Sequence, residues 1–420
     1  MAQTFCTFAP MEVVVIGAGA AGCFAAIEIK RRCPQAAVTV LERGSKALAK
    51  VAVTGGGRCN LTNSFADVRS LEQVYPRGHR LMKKLFYHFS HADTCRWFEE
   101  AGVALVTQED ECVFPRSQDA MQIVSTLLAM MRMRGVRLVT GAAVTAITPV
   151  GKGYEIETPR TVFRADKVLV TTGGHPKASG FDMLKGLDID IVPPVPSLFS
   201  LCIADKGLTE LMGTVVENAQ VSLAGTKFRG IGALLVTHWG ISGPATLRLS
   251  SAAARVLAEK GYAGVDVSIN WLYGTDAGGV AQLLGLFVQR YGRRKLSSAY
   301  PETLNSRLWT HLLTRAGLSP DARWGEVQSK GMNRLVNILT NDTYRVTGKN
   351  KFKEEFVTCG GVALGCLRPD NLEAKKHPGL YFAGEVTDVD AVTGGFNLQA
   401  AWTMGYVAAC GIAAAETVSG

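Results

Sequence analysis

Runs of consecutive apolar residues alternate with amphipathic stretches along this chain, and glycine marks many of the joints. Glu12 to Ile16 (EVVVI) is a β-branched run without polar alternation, the pattern of a parallel strand buried on both faces. Gly17-Ala18-Gly19-Ala20-Ala21-Gly22 follows at once, and then Cys23 to Arg32 reads as a helix. Ala37 to Leu41 reads as a second strand ending in Glu42. Thr140 to Ile147 and Lys167 to Thr171 read as further strands, the latter entering the turn Thr172-Gly173-Gly174-His175. Near the C-terminus, Leu380 to Ala383 reads as a short strand and Leu398 to Ala415 as a helix.

The middle of the chain has a different texture. Pro193-Pro194-Val195-Pro196 reads as a linker. Ser200 to Asp205, Gly213 to Leu223, Lys227 to Phe228 and Ala233 to Thr237 suggest short strands of a small β unit. The last of them enters His238-Trp239-Gly240-Ile241-Ser242-Gly243-Pro244 and a helix to about Ala258, with Pro244 suited to a first helical position. Val265 to Asn270 reads as a strand, and Ala277 to Tyr291, Pro301 to Ala316 and Gly325 to Leu339 as helices. The β signal returns at Asp342 to Thr347 and Glu355 to Thr358.

The first joint carries chemistry. In a GxGxxG turn set between strand and helix, Gly17 permits the tight turn, Gly19 lets backbone approach a pyrophosphate, and Gly22 lets the helix pack on the strand. Ala18, Ala20 and Ala21 complete the turn and open the helix, whose N-terminus points amides and partial positive charge at the phosphates. Glu42, with Arg43 beside it, closes the second strand, where a carboxylate accepts from ribose hydroxyls and repels a 2′-phosphate. The turn therefore suits FAD or NAD over NADP.

Two distant segments favour flavin. Thr54 to Asn63 (TGGGRCNLTN) is a loop able to hug a flat ligand. In it Gly57, Arg58, Cys59, Asn60, Thr62 and Asn63 are candidate cofactor contacts, the Cys59 thiol itself reading as a buried bystander. Near the C-terminus, Gly384-Glu385 follows a strand and puts a carboxylate where a ribityl chain would bond. Gly394-Gly395-Phe396-Asn397 opens a helix with free amides for a flavin ring edge. Thr172 and Gly173 return the chain to the dinucleotide, and backbone around Val144 is placed to contact adenine. A second GxGxxG is missing, so NAD(P)H is expected as a transient co-substrate. His238 is a weaker acid/base candidate beside Trp239; no side chain is singled out as catalytic, and no metal site is expected.

Composition narrows the setting. Glycine, 45 of 420 residues, exceeds the usual ~7%, which the joints just described help explain. The net charge of +9 comes from scattered basic residues without interleaved aromatics, so nucleic acid is not expected as a partner. Ten cysteines without CxxC pairs suit a reduced, cytoplasmic protein. No signal peptide is read at MAQTFCTFAP, and Val13 to Ile29 is too interrupted by glycine and Glu28 to be a membrane span.

VVVIGAGAAG, LERG, TGGGRCNLTN, VTTGG, THWGISGPA and YFAGEVTDVDAVTGGFNLQAAWTMGYVA together resemble the bacterial BaiN/YhiN-type flavoproteins, also called NAD(P)/FAD-dependent, aminoacetone oxidase-like oxidoreductases. The resemblance spans nearly the whole chain. It implies an α/β fold: a glutathione-reductase-like Rossmann FAD-binding domain with inserted β-barrel-like and helical parts, and bound FAD. One branch of that family is associated with reducing the ring of 3-dehydro bile acids. HPKASGFDMLKG departs from the family's usual stretch after the Gly-Gly doublet. The expected division is an FAD domain at 1–194 and 358–420, a β-rich insertion at 195–270 and 341–357, and a helical part at 271–340. The expected activity is FAD-dependent oxidation or reduction of a small organic substrate by hydride transfer through flavin N5. An FAD-dependent RNA-modifying enzyme and a non-catalytic flavin sensor are the alternatives.

Overall fold

The computed structural model describes residues 10–175, 177–350 and 357–417. They form two compact units, one built from Met1–Val195 with Val357–Gly420 and the other from Pro196–Phe356.

The first unit is organised on a five-stranded parallel sheet. Its order is Leu380–Phe382, Lys167–Val170, β1 (Glu12–Ile16), β2 (Ala37–Glu42) and Arg137–Thr140. Both faces are covered, which is why β1 is apolar from Val13 to Ile16, after the exposed Glu12. Val13 and Val15 join the core on one side, and Val14 and Ile16 the core on the other. The first of these cores holds α1 (Ala20–Arg32) against the C-terminal helix Phe396–Thr417. The two helices cross so closely that a Cβ on Gly405 would lie 2.8 Å from the Ala21 carbonyl oxygen. By length and composition the C-terminal helix could span a bilayer, yet Trp402, Met404, Ala408 and Ile412 are buried in this core. The second core is closed by the antiparallel sheet Ala146–Val150, Gly153–Glu157 and Val162–Ala165.

The strand expected over Thr140 to Ile147 is broken. Pairing with β2 ends at Thr140, Gly141 turns at φ +66°, and Val144 lies in a loop before the separate strand Ala146–Val150. The loop is held by the Gly141 and Ala142 amides, which donate to the carbonyls of Gly44 (3.0 Å) and Glu42 (2.8 Å). Apolar composition continued through this stretch while the backbone changed direction at the glycine.

The second unit is a closed six-stranded barrel. Its strands run in the order Leu201–Ile203, Gly240–Ser242, Arg229–Thr237, Val215–Leu223, Val265–Asn270 and Asp342–Lys349. Lys227 and Phe228 lie in the turn before Arg229, not in a strand. The helix expected from Pro244 is divided at Ala253 into Pro244–Ala252 and Ala254–Glu259. Helix Ala277–Tyr291 runs as expected and is capped by the Asp276 carboxylate, which accepts the Gly279 amide. The helix expected from Pro301 begins at Ser306, because the Asn305 side chain caps the Leu308 amide there. A single 3₁₀ turn, Trp324–Glu326, precedes the next helix, Ser329–Asn341. Barrel and helices share one core containing Trp271, Trp309 and Trp324. The strand signal at Glu355 to Thr358 falls partly outside the described residues; its visible part is Val357–Val362.

Candidate functional site

The carboxyl ends of the parallel strands point to one edge of the sheet, where open α/β folds take ligands. At the end of β1, Gly17 (φ +105°) lies so near Thr171 that a Cβ would sit 2.5 Å from its carbonyl oxygen. A Cβ on Gly22 would overlap the Gly17 carbonyl oxygen, whereas one on Gly19 would meet nothing within 4 Å. The outer glycines let protein touch protein, and the middle one leaves room outside. The Thr171 hydroxyl, within 3.0 Å of the Ile16 carbonyl and 2.9 Å of that of Gly17, pins the turn to the neighbouring strand. α1 begins there with no side-chain cap and no acidic residue in its first turn. Its free amides and positive dipole end fit a diphosphate.

Glu42 steadies this turn, accepting the Ala18 amide at 2.9 Å and the Gly44 amide at 2.7 Å. It lines a cavity of about 400 Å³ with Gly17, Arg43, Val144, Thr172 and His175, a size within the range of cofactor pockets. Loop geometry, not a strand, delivers Val144 to it. His175 comes from the turn expected near the dinucleotide, though it was not among the expected cofactor contacts. Its Nε2 lies 3.1 Å from the Thr172 hydroxyl oxygen, and its ring stands edge-on to Phe181 at 5.2 Å. Burial, then the positive charge of Arg43, hold its pKa below the ordinary histidine value against the opposing pull of Glu385.

The second glycine cluster closes α2 (Ala49–Gly57), where Gly55, Gly56 and Gly57 turn at φ +59°, +68° and +81°. A Cβ on Gly56 or Gly57 would meet nothing within 4 Å. Arg58 folds back over its own loop: Nε donates to the Gly55 carbonyl at 3.1 Å and the guanidinium lies 4.5 Å from the Phe114 ring centre. Cys59 is buried, and burial pushes its thiol pKa up to about 12, so the bystander reading fits.

This cluster meets the C-terminal segment. The Asn60 amide, oriented by its neighbours, donates to the Thr62 carbonyl at 2.9 Å and accepts from the Gly395 amide at 3.1 Å. Thr62 donates to Gln399 at 2.5 Å; Gln399 donates to Thr403 at 2.9 Å, which donates to the Phe89 carbonyl at 2.9 Å. Asn63 accepts the Phe65 amide at 2.8 Å. Asn397 accepts from the Ala391 amide at 2.9 Å and donates to its carbonyl at 3.0 Å. The side chains of Thr62, Asn63 and Asn397 are thus engaged within the protein and shape the loops. Phe396 is buried beside Phe65. Gly394 (φ +126°) and Gly395 (φ +86°) turn the chain into the helix.

Gly384 packs on α1, where a Cβ would lie 3.0 Å from that of Ala21. Glu385 accepts the Thr358 amide at 2.9 Å and pairs with Lys50 at 3.0 Å. Gly173 stands close by, a Cβ there meeting only Glu385 at 3.9 Å. Lys50 and Gln399 escaped sequence reading, because their partners lie in remote segments and no local spacing marks them. His238 is exposed in the hairpin turn before Gly240, edge-on to Trp239 at 4.4 Å.

Comparison with known proteins gives the same picture at family level. The HI0933-like protein Rossmann domain matches residues 11–411. A 3-dehydro-bile acid delta(4,6)-reductase of Clostridium scindens is 28% identical over 96% of this chain and 99% of its own. A ribosomal RNA dihydrouridine synthase of Escherichia coli is 27% identical over 97% of this chain and 99% of its own. Among solved structures, a mutant of E. coli quinol fumarate reductase FrdA aligns with 98% of this chain and 71% of its own, at 16% identity and TM-score 0.49.

Proposed function

The chain belongs to the HI0933-like Rossmann flavoprotein family of FAD-dependent oxidoreductases, and from that premise we propose that it reduces a carbon–carbon double bond conjugated to a carbonyl, in a small organic acceptor, with NADH or NADPH as hydride source. The observation that supports the cofactor part of this reading is the convergence of four remote glycine-bearing segments on one sheet edge, with open space at Gly19, Gly56 and Gly57.

FAD, when bound, supplies hydride transfer at flavin N5. The residues present fit it. The Gly17–Gly22 turn and the start of α1 would hold the diphosphate. Glu42, whose carboxylate keeps lone pairs beyond its two amide bonds, would take the ribose. Glu385 would face the ribityl chain, with Lys50 orienting its carboxylate. The Gly394 amide would meet the ring edge and favour negative charge there, whereas the Gly395 amide is held by the Asn60 side chain.

The acceptor class is argued from what the two relatives' names share. A delta(4,6)-reductase of a 3-dehydro compound and a dihydrouridine synthase both saturate a double bond in conjugation with a carbonyl. That common chemistry, more than either named molecule, supports an enone-type acceptor. The second relative's name keeps RNA as a second reading.

Anaerobic mixing of the FAD-loaded protein with NADH and then NADPH tests the donor through loss of visible flavin absorbance. Reoxidation by steroid enones, small cyclic enones or uridine-containing RNA tests the acceptor. Failure of both nucleotides to bleach the flavin overturns the donor assignment. If RNA alone reoxidises it, and binds with a steep salt dependence, the small-molecule acceptor is wrong.

A further inference from the structure

Residues Val74 to His79 lie against Asp388 to Phe396, the stretch that carries Gly394 and Gly395. The Val392 amide donates to the Val74 carbonyl at 2.9 Å, and the Tyr75 hydroxyl to the Phe396 carbonyl at 2.9 Å. Arg77 and Asp390 form an antiparallel bridge, and a Cβ on Gly78 would lie 2.6 Å from the Val389 side chain. Inside this clamp Arg77 donates from Nε and Nη2 to the two carboxylate oxygens of Asp390. The Asp390 side chain is 1% exposed and that of Arg77 15%. The Asp388 carboxylate adds negative potential at the guanidinium.

An ion pair buried this deeply gives little stability over a neutral pair of the same shape. Backbone bonds, the Tyr75 hydroxyl and the Gly78–Val389 contact already tie the two segments together. What the pair adds is two fixed opposite charges just before the turn whose Gly394 amide would meet the flavin edge. A reduced flavin carries negative charge near N1 and C2=O, so nearby charge biases its potential.

We propose that Arg77 and Asp390 are positioning residues that set the reduction potential of the bound flavin as a balanced pair, Arg77 favouring the reduced ring and Asp390 opposing it. The inference rests on the FAD reading above.

The experiment is a redox titration of the FAD-loaded protein, with the FAD dissociation constant measured alongside. Wild type is compared with Asp390→Asn, Arg77→Met and the double variant. The expected result is a higher potential for Asp390→Asn, a lower one for Arg77→Met, and a near wild-type value for the double variant. Single variants that keep FAD but shift the same way, or not at all, overturn the proposal, as does a double variant displaced as far as either single. If both singles lose FAD, the double variant decides: recovery of FAD at wild-type potential supports charge balance, and continued loss marks the pair as structural. Wild-type protein that takes up no FAD sinks the cofactor reading itself.

Discussion

Gly230 and Gly19 each stand beside a regular element, and an added Cβ would meet opposite fates at the two. At Gly230, in the barrel unit, it would overlap the Ala245 carbonyl oxygen, and at Gly243 it would lie 2.8 Å from that of Ala233. Glycine there lets barrel strands touch the helix Pro244–Ala252. At Gly19, Gly56 and Gly57, in the sheet unit, it would meet nothing within 4 Å. The first pair records protein meeting protein, as Gly17 and Gly22 do in the sheet unit, and the second records room left beside bare backbone, as turn glycines such as Gly213 and Gly225 also do in the barrel unit. A glycine-rich motif such as THWGISGPA therefore looks ligand-like in sequence while the fold uses it for packing.

The two units also spend buried carboxylates differently. Asp342, in the barrel unit, is fully buried and accepts from Trp271 (3.1 Å), Tyr344 (2.7 Å) and Arg315 (2.7 Å), with His311 3.1 Å from the Tyr344 hydroxyl. Asp390, in the sheet unit, receives its guanidinium on one short segment bordering the candidate cofactor turn. The first network knits a core, and the second borders the turn proposed to meet the flavin.

The largest expected effect follows from that contrast. Asp342→Ala strands an indole, a phenol and a guanidinium, and should cost about 3–5 kcal/mol in denaturant unfolding followed by tryptophan fluorescence, while FAD uptake persists. A loss below ~1 kcal/mol would mean that the network is not holding the barrel core. Next, Gly22→Ala and Gly230→Ala each force overlap with a carbonyl oxygen and should each cost about 1–3 kcal/mol. Only Gly22→Ala should also weaken FAD binding measured by calorimetry. Equal affinities in the two variants would break the comparison. Gly19→Ala sharpens it from the other side: stability within ~0.5 kcal/mol of wild type, with FAD affinity down about tenfold. The smallest effect is in pH. His175 in the sheet unit and His311 in the barrel unit both have pKa values lowered chiefly by burial. Each native state therefore binds fewer protons than the unfolded chain. The stability they contribute is present above the ordinary histidine value of ~6.5 and is lost as pH falls through the lowered folded value. Replacing either by Gln should flatten the acid limb of the unfolding profile below the ordinary histidine value; an unchanged slope would refute the assignment.

Legibility in the sequence followed the range of the forces involved. The first turn was readable because the GxGxxG spacing and the bonds of Glu42 to Ala18 and Gly44 lie within one βαβ unit, while the packing of Gly17 on Thr171 comes from a remote strand. Helix Ala277–Tyr291 was readable because a continuous apolar face begins just after a capping aspartate. Thr140 to Ile147 misled because apolar composition outlasts the strand, and the turn at Gly141 depends on amides reaching Gly44 and Glu42. Pro301 to Ala316 misled by its start, since the pattern does not show that Asn305 would be the cap.

The candidate site divides along the same line. Sequence by itself determined that a dinucleotide turn exists, that Glu42 closes its second strand, and that glycines gather in a few segments, since each is a matter of local backbone freedom and spacing. Only the tertiary structure decided that those segments meet at one sheet edge. It turned Thr62, Asn63 and Asn397 inward, folded Arg58 over its own loop, and paired Lys50 with Glu385 and Arg77 with Asp390. A side chain's partner is set by whichever segment packs beside it, and here that segment is often hundreds of residues away.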